Sequence, residues 1–315
     1  MNSRLLIMTV LASAALSAAM TSCDRAADRP DEATSTELRL SSGVELETES
    51  RAAFTSADVQ IRGGESVAVW VDEIGGAQLY GNNILTADGS GGLSGGARMF
   101  FPENGQNVDI YALHTNATIT GEPYPSTSFT HSVSADQRTI ADYAASDMMY
   151  ARTTNVAKTS SAIGMTFYHL LSKIQIAVRA GNGLEATDIK GVTITGVRPE
   201  AVVSLDKSTA PAATTVAAAG TATDITVGAD VSETFDAPVF NDAIIVPQTL
   251  TAGTAFITVH LAGGDLTYRL PTTTVFASGK KYIYRLTANL NGITLSSTLA
   301  AWSPINPVDG NAVME

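Results

Sequence analysis

Cys23 is the only cysteine among 315 residues, and it follows Met20-Thr21-Ser22 at the end of an apolar run, Leu5 to Ala19, that begins behind Asn2-Ser3-Arg4. A thiol in that position has the chemistry of a lipoprotein leader. Small residues before the cysteine suit signal peptidase II, and the sulfur is then alkylated with diacylglycerol. Met20 stands where leucine is usual. The apolar run is about 15 residues, short of the roughly 20 that a membrane-crossing helix needs. Residues 1–22 are therefore expected to be a lipoprotein signal peptide and Cys23 the lipidation site. Ordinary secretion with a chance cysteine is the competing reading. A single thiol excludes a disulfide within the chain.

Other reactive side chains form no recognisable constellation. The four histidines, His114, His131, His169 and His260, stand apart in the sequence without metal-ligand spacing, and a zinc site needs further ligands. Gly89 to Gly96 has no following Lys-Ser/Thr, and Gly279-Lys280-Lys281 lacks both the upstream glycine and the hydroxyl residue of a phosphate loop. Ser94, within Gly92-Leu93-Ser94-Gly95-Gly96, fits a nucleophile elbow only in part, since an elbow joins a strand to a helix. Asp72 with Glu73, and Asp224 with Asp230, read as solvated loop acids. No catalytic residue, metal or cofactor is expected, and the chain is read as no enzyme. With 19 basic and 31 acidic residues the net charge is −12, which disfavours nucleic acid and anionic lipid headgroups as partners.

Charged residues make up only 16% and aromatics 6%, a balance that favours short strands and tight turns over helices. Residues 24–35 are polar and read as a tether. Leu38, Leu40, Ser42, Val44 and Leu46 then alternate with Arg39, Ser41, Glu45 and Glu47, the period of a half-buried strand. Strands are expected at 66–71, 107–113 and 147–152, with a glycine-rich loop at 89–96. A short helix is expected over 134–143, because Ser134 and Gln137 have capping-box spacing. Residues 153–162 read as a linker. A second block is expected to open at Met165–His169 and to continue through 174–178, 190–197, 202–205, 243–248, 256–261, 266–270, 282–289 and 293–301. Turn glycines between such short strands indicate a β-sandwich.

Several strings, in order, resemble the fimbrillin family of Bacteroidales. They are Ser146-Asp147-Met148-Met149-Tyr150-Ala151, Phe167-Tyr168-His169-Leu170-Leu171-Ser172-Lys173-Ile174, Ile245-Val246-Pro247-Gln248, Tyr268-Arg269-Leu270-Pro271, Ser278-Gly279-Lys280-Lys281-Tyr282-Ile283-Tyr284, Gly292-Ile293-Thr294-Leu295 and Trp302. The resemblance implies an all-β chain of two transthyretin-like β-sandwich domains in tandem, with domains at 52–155 and 156–315. It implies export as a lipoprotein to the outer membrane and assembly at the cell surface into fimbriae for adhesion. It also implies an N-terminal strand, within 23–51, that fills the chain's own sandwich. The resemblance further implies that an arginine-specific protease removes that strand together with the lipid and that a strand from a neighbouring subunit takes its place. Arg51, before Ala52-Ala53-Phe54, matches the cleavage pattern, so the Arg51-Ala52 bond is the expected cut. A solvated arginine in a linker is the plainer alternative.

Strand exchange needs two segments able to occupy one groove. Leu38, Leu40, Ser42, Val44 and Leu46 form the removable face; Ile293, Leu295, Ser297, Leu299 and Ala301 offer the same order of large, large, serine, large and apolar. Other fimbrial subunits are thus the expected partners. A rival reading is a monomeric surface lipoprotein that binds glycan or host protein through Trp70, Tyr80, Tyr124 and the 89–96 loop.

Overall fold

Short alternating runs punctuated by glycine make strands wherever the backbone finds a neighbour, and the computed structural model shows an almost wholly β chain across the residues it describes, 35–44, 60–118, 124, 128–208 and 215–301. Cys23, Leu46, Arg51, Ala52 and Trp302 lie outside the described residues, and beyond Leu295 the last strand is described by its backbone alone. In chain order the first elements are β1 (Leu40–Val44), β2 (Ser66–Glu73), β3 (Gln78–Ala87), β4 (Leu93–Ser94), β5 (Val108–His114), β6 (Phe129–Ser132), α1 (Ile140–Ser146), β7 (Met149–Val156) and β8 (Ile163–His169). There follow β9 (Ser172–Ala180), β10 (Ile189–Val197), β11 (Glu200–Ser204), β12 (Thr215–Ala219), β13 (Thr223–Gly228) and β14 (Asn241–Ile245). The chain ends with β15 (Gln248–Leu250), β16 (Ala255–Leu261), β17 (Gly264–Arg269), β18 (Thr274–Phe276), β19 (Lys280–Asn289) and β20 (Gly292–Ala301). The described residues from Thr36 onward form one compact unit.

A seven-stranded sheet runs in the order β1-β8-β7-β5-β2-β3-β4. Its two ends meet, because Ser41 bridges Gly92 and the Ser42 amide donates to the Gly91 carbonyl at 2.7 Å. The sheet therefore closes into a barrel, and β1 is the stave that closes it. Alternation along β2 sorts the side chains: Val67, Val69 and Val71 point into the barrel core with Ile110, Ala112, Met165 and Phe167, whereas Ala68 and Trp70 join the second core.

That second core gathers residues of a sheet ordered β14-β9-β19-β20 and another ordered β13-β10-β16-β17, including Ile174, Ile194, Phe256, Ile257 and Leu286. Smaller sheets, β12-β11-β6 and β15-β18, complete the strand inventory.

Three expectations need correction. The segment 165–169 does not open a second block, and 153–156 is strand rather than linker. β7 runs on to Val156, and β8 pairs back on it, Tyr150 opposite Tyr168, inside the first sheet. A hairpin partner with the right inward face, Met165 and Phe167, outweighs the Ser/Thr/Ala composition that suggests a linker. The helix lies at 140–146 rather than 134–143, capped by Thr139, whose Oγ1 accepts from the Asp142 amide at 3.2 Å. Ser134 and Gln137 are engaged elsewhere. The Ser134 hydroxyl turns back on Asp136, and the buried Gln137 amide pairs with Ile244, donating to its carbonyl and accepting from its amide, each at 2.8 Å. A side chain thus satisfies one edge of β14, which ends its sheet.

A candidate strand-binding groove

Leu38, Leu40 and Val44 are buried in the barrel core while Arg39 and Gly43 are exposed, as the period-two reading requires, whereas Ser41 and Ser42 are both half-buried. One edge of β1 runs parallel to β8, with Leu40 opposite Ile163 and Val44 opposite Phe167, and the Ile163 amide donates to the Arg39 carbonyl at 2.8 Å. The other edge faces residues 91–101, which form a lip. Leu38 N–H donates to Met99 at 2.8 Å, Ser42 N–H to Gly91, and Phe101 N–H to Thr36 at 3.0 Å. Arg39 also reaches the Ser160 carbonyl at 2.7 Å, and Arg98 pairs with Glu37 at 3.0 Å. A cleft of about 330 Å³ runs beside β1, lined by Leu38, Leu40, Leu85, Leu93 and Met99 among others.

Glycine in the lip has a specific cause at two places. Gly91 has φ +96°, and a Cβ there would sit 2.9 Å from the Ser42 carbonyl oxygen. Only glycine allows that backbone conformation and lets β1 come so close. Gly96, at φ +69°, would place a Cβ 2.5 Å from Asn83 Oδ1. The lip thus depends on glycine toward β1 on one side and toward β3 on the other.

The expected donor, β20, pairs antiparallel with β19 along its whole length, from Asn289 opposite Gly292 to Lys280 opposite Ala301, and ends its sheet. Ile293 and Leu295 are half-buried against the second core; the side chains of Leu299 and Ala301 lie outside the described residues. The aromatics of the rival reading do not make a surface. Trp70 and Tyr124 are buried in the second core, and the Tyr80 hydroxyl is engaged with the Phe100 backbone. The 89–96 segment carries exposed residues on either side of the short strand β4, and its residues 91–96 belong to the lip.

Sequence spacing missed one cluster. Three of the histidines, apart in the chain, converge on the turn that follows α1. His169 Nδ1 lies 2.7 Å from Asp147 Oδ2, both groups buried. His131 Nε2 lies 2.9 Å from the Ser146 carbonyl, so Nε2 carries the proton and Nδ1 accepts from the Thr115 hydroxyl at 2.7 Å. His114 Nδ1 contacts the Ser66 carbonyl at 3.0 Å. Through these bonds the cluster forms a buried polar joint.

Burial pushes His131 down, outweighing the Ser146 carbonyl and Asp147, which act the other way. Burial pushes Asp147 up, but the His169 interactions overcome it and leave the carboxyl below its usual range. Both signs favour the folded state at neutral pH. Below about pH 6.5 the unfolded chain takes up a proton that folded His131 resists, and near pH 4 the unfolded chain protonates an aspartate that folded Asp147 keeps ionised. Stability measured by urea unfolding is expected to fall from pH 7 to pH 5. A His131→Asn variant should flatten that slope, and an unchanged slope would refute the assignment.

A profile of the fimbrillin-like family matches residues 50–302, and the chain belongs to that family. Its members are fimbrial structural and adhesion proteins, not enzymes. A Bacteroides uniformis protein described as a fimbrium subunit, Fim1C, is 23% identical over 283 residues, 85% of this chain and 86% of that one. Among solved structures, one described as a cell adhesion protein of Bacteroides uniformis superposes with a TM-score of 0.63 at 19% identity, covering 87% of this chain and 100% of that chain. Another, from Bacteroides ovatus and likewise described, gives 0.61 at 15% identity, covering 86% and 99%. These likenesses establish the fold. Family membership makes the chain a fimbrial, cell-adhesion subunit of a surface appendage, associating with other fimbrial subunits. No helix among the described residues is long and apolar enough to cross a membrane.

Proposed function

We propose that the chain is a structural fimbrial subunit, exported as a lipoprotein through Cys23, that polymerises by donor-strand exchange after cleavage at Arg51-Ala52. The observation that carries this reading is β1 with the residues just before it, a segment that closes the barrel, is bonded along both edges and buries Leu38, Leu40 and Val44 in the core. Arg51 falls between β1 and β2 in the sequence. One cut there leaves β1 held by noncovalent bonds alone and severs nothing else. Buried apolar side chains contribute about 1.5–3 kcal/mol each, so three of them retain the strand firmly until a competitor with a similar face displaces it.

The incoming face is Ile293, Leu295, Leu299 and Ala301 of a neighbouring subunit, standing in for Leu38, Leu40, Val44 and Leu46. Donation exchanges the β19 ladder for one in the groove, so few backbone bonds are lost overall. Strand addition of this kind joins chains head to tail and does not close on itself, which yields filaments. The lipid on Cys23 holds the precursor at the outer membrane until an arginine-specific protease acts.

Arg51→Ala is expected to accumulate a lipidated, unpolymerised precursor, whereas surface-assembled wild type should begin at Ala52. Electron microscopy together with N-terminal sequencing reads both. Ordinary filaments from the variant would remove Arg51 from the scheme. In the same assay, normal filaments from a Leu295→Asp, Leu299→Asp chain would remove these residues as the donor face.

A further inference from the structure

The lip that receives β1 has a second, outer fastening, and that fastening is made of side chains. β3 and β4 share only two ladder pairs, Thr86 with Ser94 and Ala87 with Leu93. Beyond Ser94, two β3 side chains take over. The Asn83 amide brackets Ala97, donating to its carbonyl and accepting from its amide, each at 2.8 Å. The Tyr80 hydroxyl accepts from the Phe100 amide at 2.9 Å and donates to the Phe100 carbonyl at 3.3 Å. Phe100 is thus held outward while its neighbours Met99 and Phe101 bond inward to the β1 segment.

Residues 80 and 83 of an unbroken strand would point to opposite faces. They act together here because β3 carries an extra residue: Val69 pairs with Asn83 but Val71 with Tyr80. Asn82, within that bulge, has φ +46°, which a non-glycine residue seldom adopts. Bulges re-aim side chains, and this one turns Tyr80 and Asn83 toward the lip.

We infer that Tyr80 and Asn83 are positioning residues that keep the lip in strand-receiving geometry once β1 has left. This rests on the strand-exchange reading. In the intact chain the lip is fastened on both sides, so loss of the outer brackets is tolerated. With β1 gone, the β3–β4 ladder still fixes Leu93 and Ser94, and beyond Ser94 the brackets at Ala97 and Phe100 hold the backbone groups toward the groove.

The test uses the full chain with a site-specific protease sequence placed between Glu47 and Arg51. It is cut and incubated with excess fluorescent peptide of residues 36–46. Wild type should take up the peptide. Asn83→Ala and the milder Tyr80→Phe, alone and combined, should unfold near the wild-type temperature when uncut. After cutting, the double variant should take up about tenfold less peptide. Uptake equal to or faster than wild type overturns the inference. An uncut Asn83→Ala chain that fails to fold also overturns it, because β1 would then not suffice to hold the lip. If cut wild type itself takes up no peptide, strand exchange fails, and the role of the brackets fails with it.

Discussion

Leu40→Asp is expected to unpin β1 from the intact chain while the second core stays folded. Leu40 is 5% exposed and sits in the barrel core, opposite Ile163 on β8. Replacing it removes a buried apolar side chain and puts a carboxylate into an apolar core, a change of about 4 kcal/mol or more. Leu38 and Val44 remain, so the loss falls on strand docking rather than on the whole molecule. Hydrogen exchange should show this directly. The amides of Leu38, Ser42, Phe101 and Ile163, which bond across the two edges of β1, should lose about two to three orders of magnitude of protection, at 1.4 kcal/mol per decade. Amides of β9 and β19 should keep theirs. Arg39→Asp on the same strand is the control, since Arg39 is exposed, and it should change protection by less than about threefold. Equal effects at 39 and 40 would show that the strand face is not what holds β1.

Lys173→Met is expected to destabilise the whole second core by about 3–5 kcal/mol. Lys173 Nζ lies 3.3 Å from Asp242 Oδ2 with both side chains fully buried. It also stands 5.5 Å from the Tyr143 ring centroid, while Gln175 Nε2 donates to Asp242 Oδ1 at 3.1 Å. Losing the ammonium takes the cationic partner away from a buried carboxylate. A Lys173→Met, Asp242→Leu double variant removes both charges and should recover most of the loss, because two well-packed apolar groups avoid the desolvation penalty that the pair bears. Urea unfolding of the two variants and wild type decides it. A double variant as unstable as the single one would mean that packing, not charge pairing, dominates the site.

Local chemistry carried much of this protein. A low share of charge and aromatics, with short alternating runs, gave all-β. Period two gave the inward face of the first strand, and Leu38, Leu40 and Val44 are buried as that pattern requires. Alternation fixes which side chains share a face because successive residues must point to opposite sides. It says nothing about what covers that face. Lys173 and Gln175 alternate with Ile174 and Ile176 as a solvent-facing row would, yet both are buried, because Tyr143 of α1 and Asp242 of β14 lie against Lys173.

Pairing between distant segments was decided only in three dimensions. Which strand lies beside β1 depends on edges that match across the chain, Leu40 with Ile163 and Ser41 with Gly92, and no local propensity encodes that choice. The same applies to β8 joining the first sheet, to the convergence of His114, His131 and His169 on the turn after α1, and to the bulge that turns Tyr80 and Asn83 onto one lip. Sequence alone determined that a strand with one apolar face stands ahead of the other strands. The tertiary structure decided that this strand closes a barrel, because its two edges find β8 and the lip, whose backbone groups would otherwise lack partners.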